Sequence, residues 1–216
     1  MKVFLVRHGQ SEAYERGTRQ TPDSPLSSLG RKEALALGKR IKRWGVSFDK
    51  IFSSKLPRAR ETSKIIARQL GTTMEVFEGI HEREQHPDIY GAELKSKIHQ
   101  DNVREYDKNL KNLDFKFRGK GESIRDVIKR AVDFKKHLLK NHSQQDLLVI
   151  SHGLFIRAFV TICILGDDYH DNSFADLFGA LNIHNTGVSL LRYSEDSRHW
   201  KVIYLNNFSH LKDVTS

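Results

Sequence analysis

Short apolar runs alternate with segments of helical periodicity along most of the chain. The apolar runs predict six strands, at residues 2–6, 50–52, 73–77, 147–150, 188–191 and 202–205. Apolar residues three and four positions apart predict four helices, of which the first is capped by Ser27 or Ser28 and stopped at Gly45. The other three are predicted at residues 58–70, 123–139 and 154–165. This alternation is typical of βαβ units, so it predicts an α/β fold around a mostly parallel sheet.

Residues 84–120 depart from this alternation. Five apolar residues recur there at roughly helical spacing among many charges: Leu94, Ile98, Tyr106, Leu110 and Leu113. A long polar insertion between sheet elements is a candidate lid or substrate-recognition segment. A partly solvated helical hairpin without such a role is the alternative. No internal repeat or low-complexity linker divides the sequence, so we expect one domain over residues 1–216.

The composition is that of an ordinary globular protein, with 38% hydrophobic and 29% charged residues. The only cysteine, Cys163, lies in an apolar stretch, which predicts a buried thiol without an intramolecular disulfide. Four consecutive apolar residues before Arg7 are too few for a signal peptide, and no segment approaches the ~20 that span a bilayer. We therefore expect a cytoplasmic protein without a membrane partner.

The formal net charge of +9 favours anionic partners. Nucleic acid, a membrane surface and a phosphorylated small molecule all meet that condition, and so does a basic face that binds nothing specific. The charge alone selects none of them, and the oligomeric state also stays open.

Basic residues follow three of the predicted strands directly. The first strand runs into Arg7-His8-Gly9, the second into a loop that ends at Arg58, and the fourth into Ser151-His152-Gly153. Because the carboxyl ends of parallel strands meet at one edge of a sheet, we expect two histidines and two arginines to lie close together. The glycine after each histidine is expected to let the backbone turn sharply and approach a ligand.

These residue types suit phosphate chemistry. Arginine carries a fixed charge on a planar fork that matches phosphate oxygens. A neutral imidazole is a good nucleophile near neutral pH and forms covalent intermediates, while a second imidazole, as a cation, can stabilise charge on the phosphoryl oxygens.

The segment Leu5-Val-Arg-His-Gly-Gln-Ser-Glu12 resembles the signature of the histidine phosphatase superfamily, the group that includes cofactor-dependent phosphoglycerate mutases. Four further segments resemble its other blocks, in the same order: Pro25-Leu-Ser-Ser-Leu-Gly30, Ser53-Ser-Lys-Leu-Pro-Arg-Ala-Arg-Glu-Thr62, Gly121-Glu-Ser123 and Val149-Ile-Ser-His-Gly-Leu154. The resemblance implies a three-layer α/β/α sandwich with a mostly parallel sheet and a small helical lid at residues 84–120.

The resemblance also implies roles for particular residues. His8 corresponds to the nucleophile that becomes phosphohistidine, Arg7 and Arg58 to phosphate-binding arginines, and His152 to the second histidine of the pocket. No metal ion and no organic cofactor are implied. On residues alone, Arg58 has an alternative, an ion pair with Glu61 or Glu33 on a helix surface.

The family also uses an acid that protonates the leaving oxygen. Glu82, in Gly79-Ile-His-Glu-Arg-Glu84, is the best match, and Glu84 fits the register less well. A plain loop charge is the alternative for Glu82. Together these residues predict a phosphatase that acts through a phosphohistidine on His8 and takes a phosphorylated small molecule or a phosphoprotein.

Two rival functions are open. A phosphoglycerate mutase is disfavoured because Tyr14 stands where mutases carry an asparagine, and because the run after Glu82 lacks their Gly- and Trp-containing sequence. A non-catalytic anion-binding or nucleic-acid-binding protein of the same fold is disfavoured because none of the expected site residues is lost. Nucleic acid is therefore not the expected partner.

Two other clusters have simpler interpretations. His81, Glu82, His86 and Asp88 match no helix-borne zinc motif, so no metal site is expected there. Phe115 and Phe117 lie between basic residues and could stack on bases, but ordinary packing is the favoured interpretation.

Overall fold

Six strands form one sheet in the computed structural model, which describes residues 1–214. They are β1 (Lys2–Arg7), β2 (Lys50–Ser53), β3 (Glu75–Val76), β4 (Asp146–Ser151), β5 (Val188–Ser194) and β6 (His199–Asn207). Their order across the sheet is β3-β2-β4-β1-β5-β6. The first four strands in this order run parallel, and β5 and β6 extend the sheet antiparallel beyond β1. The predicted mostly parallel sheet is confirmed.

Helices cover both faces of the sheet. They are α1 (Glu12–Glu15), α2 (Ser28–Trp44), α3 (Pro57–Leu70), α4 (Lys97–Lys108), α5 (Ile124–Asn141), α6 (Gly153–Leu165) and α7 (Asp171–Ala180). Single 3₁₀ turns occur at Pro87–Ile89, Phe117–Gly119 and Ser209–Asp213. Within residues 1–214, no helix is both long and apolar enough to cross a lipid bilayer.

The alternation of side chains along β1 explains the three layers. Val3 and Leu5 point to one face and pack in a core with α5 and α6. Phe4 and Val6 point to the other face and pack in a second core with α2 and α3. Buried on both faces, the strand reads as one continuous apolar run, as parallel strands do. The α/β/α sandwich expected from the sequence is confirmed.

Helix boundaries follow local chemistry. The Ser27 hydroxyl accepts a hydrogen bond from the backbone N–H of Gly30, and α2 ends at Gly45, whose φ is 67°. Ser123 and Asp126 form a reciprocal capping box at the start of α5. Ser27, and not Ser28, is thus the cap of α2. Helix α7 was not anticipated, because its buried face is only Phe174, Ala175 and Phe178, too few to establish a periodicity.

Residues 84–120 form one helix, α4, between two 3₁₀ turns, so the helical-hairpin alternative is wrong. Three backbone hydrogen bonds tie this segment to the loop after α1. Arg19 N donates to Ala92 O at 2.8 Å, Gly91 N donates to Arg19 O at 3.1 Å, and Leu94 N donates to Gly17 O at 2.9 Å. Phe117 is buried, and its ring lies edge-on to His86. Ordinary packing, and not an exposed stacking surface, is therefore its role.

Two expectations concern the rest of the chain. Cys163 is buried in the core on the α6 side, and this burial raises the pKa of its thiol, as expected for an inert core cysteine. The predicted domain extends to residue 216, and residues 215 and 216 lie outside the described part of the chain.

The loop after β1 crosses the first turn of α2 at two glycines. A Cβ on Gly9 would lie 2.5 Å from the carbonyl oxygen of Gly30, and a Cβ on Gly30 would lie 2.1 Å from that of Gln10. The backbone crossing is therefore one reason for glycine at position 9, and the sequence did not suggest it. At Gly153 a Cβ would have ordinary contacts, the nearest at 3.7 Å from Arg7 Nε.

We expect Gly30→Ala to destabilise the protein by about 1–3 kcal/mol, because the new methyl group forces two backbones apart. Gly179→Ala is the matched control, since a Cβ there meets nothing within 4 Å and lies in α7. Alanine is the better helix former, so the control should stabilise the protein by up to about 1 kcal/mol. Urea denaturation followed by circular dichroism measures both changes. Equal stabilities would contradict the crossing.

Candidate active site

His8 lies at the carboxyl end of β1, 1% exposed, and its backbone N–H donates to Ser151 O at 3.0 Å. Nδ1 of its ring lies 2.6 Å from the carbonyl oxygen of Gly9. A carbonyl only accepts, so Nδ1 carries the proton and donates it there. Nε2 therefore keeps its lone pair. It accepts a hydrogen bond from Nε of Arg58 at 3.3 Å.

Arg58, at the start of α3, is 2% exposed. Its Nη1 donates to Thr21 O at 3.1 Å, so this loop fixes the guanidinium beside His8. The alternative pairing is wrong: Glu61 binds Arg31, and Glu33 accepts a hydrogen bond from Gln10 N at 2.7 Å.

Arg7 projects from the last position of β1 into the same pocket. Its Nη1 donates to the carbonyl oxygen of Ile183 at 2.7 Å. Its buried Nε has no hydrogen-bond partner among residues 1–214. Arg7 is thus anchored at one nitrogen and keeps a donor for a ligand.

His152 follows β4, and its ring centroid lies 4.9 Å from that of His8. Its Nε2 lies 2.9 Å from Oγ of Ser54, whereas its buried Nδ1 has no partner within the described residues. Ser54 Oγ also accepts from Leu56 N, which leaves the hydroxyl proton free to be donated to His152.

Both imidazoles are neutral. Burial, followed by the charges of Arg58 and Arg7, lowers the pKa of His8 well below 6.5. The pKa of His152 is also lowered well below 6.5. Burial has the largest effect on it, followed by Arg58, His8 and Arg7. This direction disfavours the cationic second imidazole expected from the sequence. Burial also lowers the pKa of Arg58 to about 10, which leaves it charged at neutral pH.

Of the two candidate acids, Glu82 lies among the arginines. It raises the pKa of Arg7 and of Arg58, and its Oε2 accepts from the backbone N–H of Leu154, in the first turn of α6, at 3.5 Å. The side chain of Glu84 is 62% exposed, with Oε1 3.8 Å from Nε2 of His81. The geometry favours Glu82, as the register did.

The pocket has a volume of about 710 Å³ and contains residues that the sequence analysis missed. Arg19, Arg83 and Arg157 line it together with the expected arginines, and Tyr14 stands at its rim, 55% exposed. Only one of the three carried a sequence signal: Arg157 lies four residues after Gly153, on the same side of α6. Arg19 and Arg83 lie in loops, where a charged residue is usually exposed to solvent.

The four residues of the rejected metal cluster do not converge. Among the residues that the structure describes, no group of three or more His, Cys, Asp or Glu side chains is placed to hold a metal ion. His86 Nδ1 instead accepts from Asp88 N at 3.2 Å and caps a 3₁₀ turn.

A family model, histidine phosphatase superfamily (branch 1), matches residues 3–207. The chain belongs to this superfamily. Among its relatives in the superfamily, a broad-specificity phosphatase of Saccharomyces cerevisiae is 27% identical over 99% of this chain and 88% of that protein. A 2,3-bisphosphoglycerate-dependent phosphoglycerate mutase of Bartonella tribocorum is 31% identical over 73% of this chain and 79% of the mutase.

Solved structures share the fold of this chain. A mutant of the phosphoserine phosphatase of Entamoeba histolytica, in complex with phosphoserine, matches with a TM-score of 0.77 at 22% identity. The match covers 97% of this chain and 98% of the phosphatase.

The neutral state of this histidine phosphatase's buried imidazoles can be measured directly. In ¹⁵N–¹H spectra of histidine-labelled protein, His8 and His152 should stay neutral as the pH falls below 6.5, because their pKa values are lowered. Arg58→Gln removes a neighbouring positive charge, so both pKa values should rise while burial still holds them below 6.5.

Arg60→Gln provides the matched control, because Arg60 is an exposed residue of α3 and its loss changes the net charge equally. Neither histidine should respond to it. An ordinary titration of His8 near pH 6.5 in the unaltered protein would contradict the neutral nucleophile.

Proposed function

We propose that this chain is a phosphatase that hydrolyses a phosphate monoester through a phosphohistidine intermediate on His8. One observation carries the proposal: a neutral imidazole, with Nδ1 tied to Gly9 O, presents its Nε2 lone pair beside Arg58. A nucleophile that needs no deprotonation, next to fixed positive charge, is suited to attack a phosphoryl group.

In the first step, His8 Nε2 attacks phosphorus in line, and the P–O bond to the alcohol breaks. Arg7 and Arg58 donate to the phosphoryl oxygens. The nitrogens that do so bind backbone carbonyl oxygens, or no group among residues 1–214, before the substrate arrives. The Ser54 hydroxyl donates to His152 Nε2, so that the Nδ1–H of His152 is free to bind a phosphoryl oxygen. Glu82 delivers a proton to the departing oxygen and is left as a carboxylate.

In the second step, the anionic Glu82 takes a proton from water, which attacks the phosphohistidine. The P–N bond breaks, inorganic phosphate leaves, and His8 and Glu82 return to their starting protonation states. Arginines and N–H groups provide the charge stabilisation that Mg²⁺ provides in other phosphoryl-transfer sites, so we propose a reaction without a metal ion or organic cofactor.

The substrate we propose is a phosphorylated small molecule. The pocket volume of about 710 Å³ lies in the range of roughly 300–1,000 Å³ that small-molecule sites occupy. Six lining residues are arginine or lysine, and two, Glu82 and Glu84, are acidic. The pocket thus carries a net positive charge, which suits a compact anion inside it better than a nucleic acid or a phosphoprotein.

A phosphoglycerate mutase is the second candidate, since a mutase is among the relatives. A mutase must keep water from its phosphohistidine while the intermediate reorients. Tyr14 at the rim, more than half exposed, and a single short helix in the segment over the pocket favour access of water, and hence hydrolysis.

Trapping tests the nucleophile. Brief incubation with ³²P-labelled substrate in EDTA, quenched without acid, should leave label on His8, and His8→Ala should abolish both label and turnover. His199→Ala, which removes an exposed histidine from β6, is the control and should change neither. Full turnover by His8→Ala, or a loss of activity in EDTA that Mg²⁺ restores, would refute this mechanism.

The same labelled protein identifies the acceptor. Chased with 3-phosphoglycerate in water, the label should appear as inorganic phosphate. Label that appears mainly in 2-phosphoglycerate or bisphosphoglycerate would identify a mutase instead.

The role of Glu82 has its own test. An acid matters most for a poor leaving group, so Glu82→Gln should slow hydrolysis of an alkyl phosphate by about 100-fold or more, and that of p-nitrophenyl phosphate by far less. Glu84→Gln is the matched control, with the same change two residues away on an exposed side chain. Equal slowing of both substrates by Glu82→Gln would remove it from the acid role.

A further inference from the structure

Three arginines of the pocket, Arg19, Arg83 and Arg157, have no part in the proposed phosphoryl transfer, and the first two have donors without a partner among residues 1–214. Arg83 is only 7% exposed, lines the pocket, and has a buried Nε without a partner among residues 1–214. Arg19 lines the same pocket, and within the described chain its guanidinium makes no hydrogen bond or ion pair. Buried guanidinium groups are normally satisfied, so both arginines have donors available for a ligand.

The guanidinium of Arg83 is held in place by its surroundings. Its central carbon lies 4.0 Å from the ring centroid of Tyr106, on α4, and its Nη2 donates to Gln85 Oε1 at 3.3 Å. His99 and Asn102 share that face of α4. Arg19 is held against the same segment by its backbone hydrogen bonds to Gly91 and Ala92. Residues 84–120 therefore build one wall around these two arginines.

Like charges are placed together here, and among residues 1–214 neither Arg19 nor Arg83 forms an ion pair with a carboxylate. After burial, Arg83 is the largest influence on the pKa of Arg19, which it lowers. Arg157 is a third neighbour, anchored by its Nε to Phe178 O at 2.8 Å. Mutual repulsion of partly desolvated cations is relieved when an anion binds between them.

Glu82 lines the same pocket as this group and as the arginines of the phosphoryl site. It raises the pKa of Arg7 and Arg58 and also that of Arg19 and Arg83, so it is near both pairs. A substrate whose bridging oxygen is protonated by Glu82 has its phosphoryl group at His8. The rest of the molecule then extends towards Arg19 and Arg83.

We propose that Arg19 and Arg83 form a second anion subsite, which selects phosphate monoesters whose alcohol portion carries a carboxylate or a second phosphate. The proposal rests on the proposed function, because it takes the His8 end of the pocket as the phosphoryl site. The shared chemistry is an oxyanion that two forked donors bind.

Two matched substrate pairs test the subsite. 3-Phosphoglycerate and glycerol 3-phosphate differ only in a carboxylate against a hydroxymethyl group. The bisphosphate and monophosphate of 1,3-propanediol differ only in the second phosphate. In at least one pair, we expect kcat/KM to be tenfold or more higher for the member that carries the second anionic group. The pair that shows this preference tells whether the subsite binds a carboxylate or a phosphate.

Arg19→Gln should reduce that preference at least fivefold. The variant should fold, because the Arg19 guanidinium bonds to no group among residues 1–214 and the backbone hydrogen bonds of Arg19 are kept. Arg16→Gln is the matched control, because Arg16 is exposed, pairs only with Glu12 and lies three residues away. It should leave the preference unchanged. No preference in either pair, or a preference that survives Arg19→Gln, would overturn the subsite.

Binding separates this proposal from the proposed function. If the protein hydrolysed neither these esters nor p-nitrophenyl phosphate, the phosphatase would be refuted. Calorimetric titration of His8→Ala with the same four compounds would still test the subsite. The subsite is supported if the member with the second anionic group binds tenfold tighter and if the His8→Ala, Arg19→Gln double variant loses this difference. Equal binding of both members refutes it.

Discussion

The pairing of β1 with β4 is the constraint on which the site depends. The two strands run parallel in a register that sets Arg7 opposite Ser151. One residue further along each chain, His8 and His152 face each other with ring centroids 4.9 Å apart. A shift of one residue would move either histidine to the other face of the sheet. Two residues 144 positions apart in sequence thus become neighbours through backbone hydrogen bonds alone.

The second constraint is electrostatic. Arg58 is nearly inaccessible to solvent and Arg7 is held close to it, and both stay charged at neutral pH because guanidinium groups are very weak acids. The imidazoles between them respond by staying neutral. The site therefore holds its positive charge on groups that cannot lose it and its reactive lone pair on a group that has not gained a proton. The fixed positive charge and the free lone pair are therefore both in place before a phosphoryl dianion binds.

The sequence predicted the strands and the main helices within a few residues, because buried parallel strands are continuous apolar runs and glycines end α2 and α3. It predicted β3 as five residues, but only Glu75–Val76 pair with β2, since an exposed edge strand has little apolar pattern. The charge state of His152 and the reason for Gly9 also required coordinates. Both depend on neighbours distant in sequence, as the crossing with Gly30 shows.

The candidate site divides in the same way. His8, Arg7, Arg58 and His152 follow strands, so their positions came from strand prediction together with the resemblance. Arg19 and Arg83 lie in loops, and a loop arginine in a sequence cannot be told from a solvated one. Only the surrounding walls, one of them α4, show that these charges face inward.

The two backbone hydrogen bonds between Arg19 and residues 91–92 join both walls of the pocket into one short ribbon. Residues 84–120 therefore cannot move outward independently, because any such movement also displaces the loop after α1. For protein engineering, this makes the two loops a single exchangeable module. A segment transplanted from a relative in place of residues 84–120 would have to bring its own loop after α1, or it would lack the backbone hydrogen bonds to that loop.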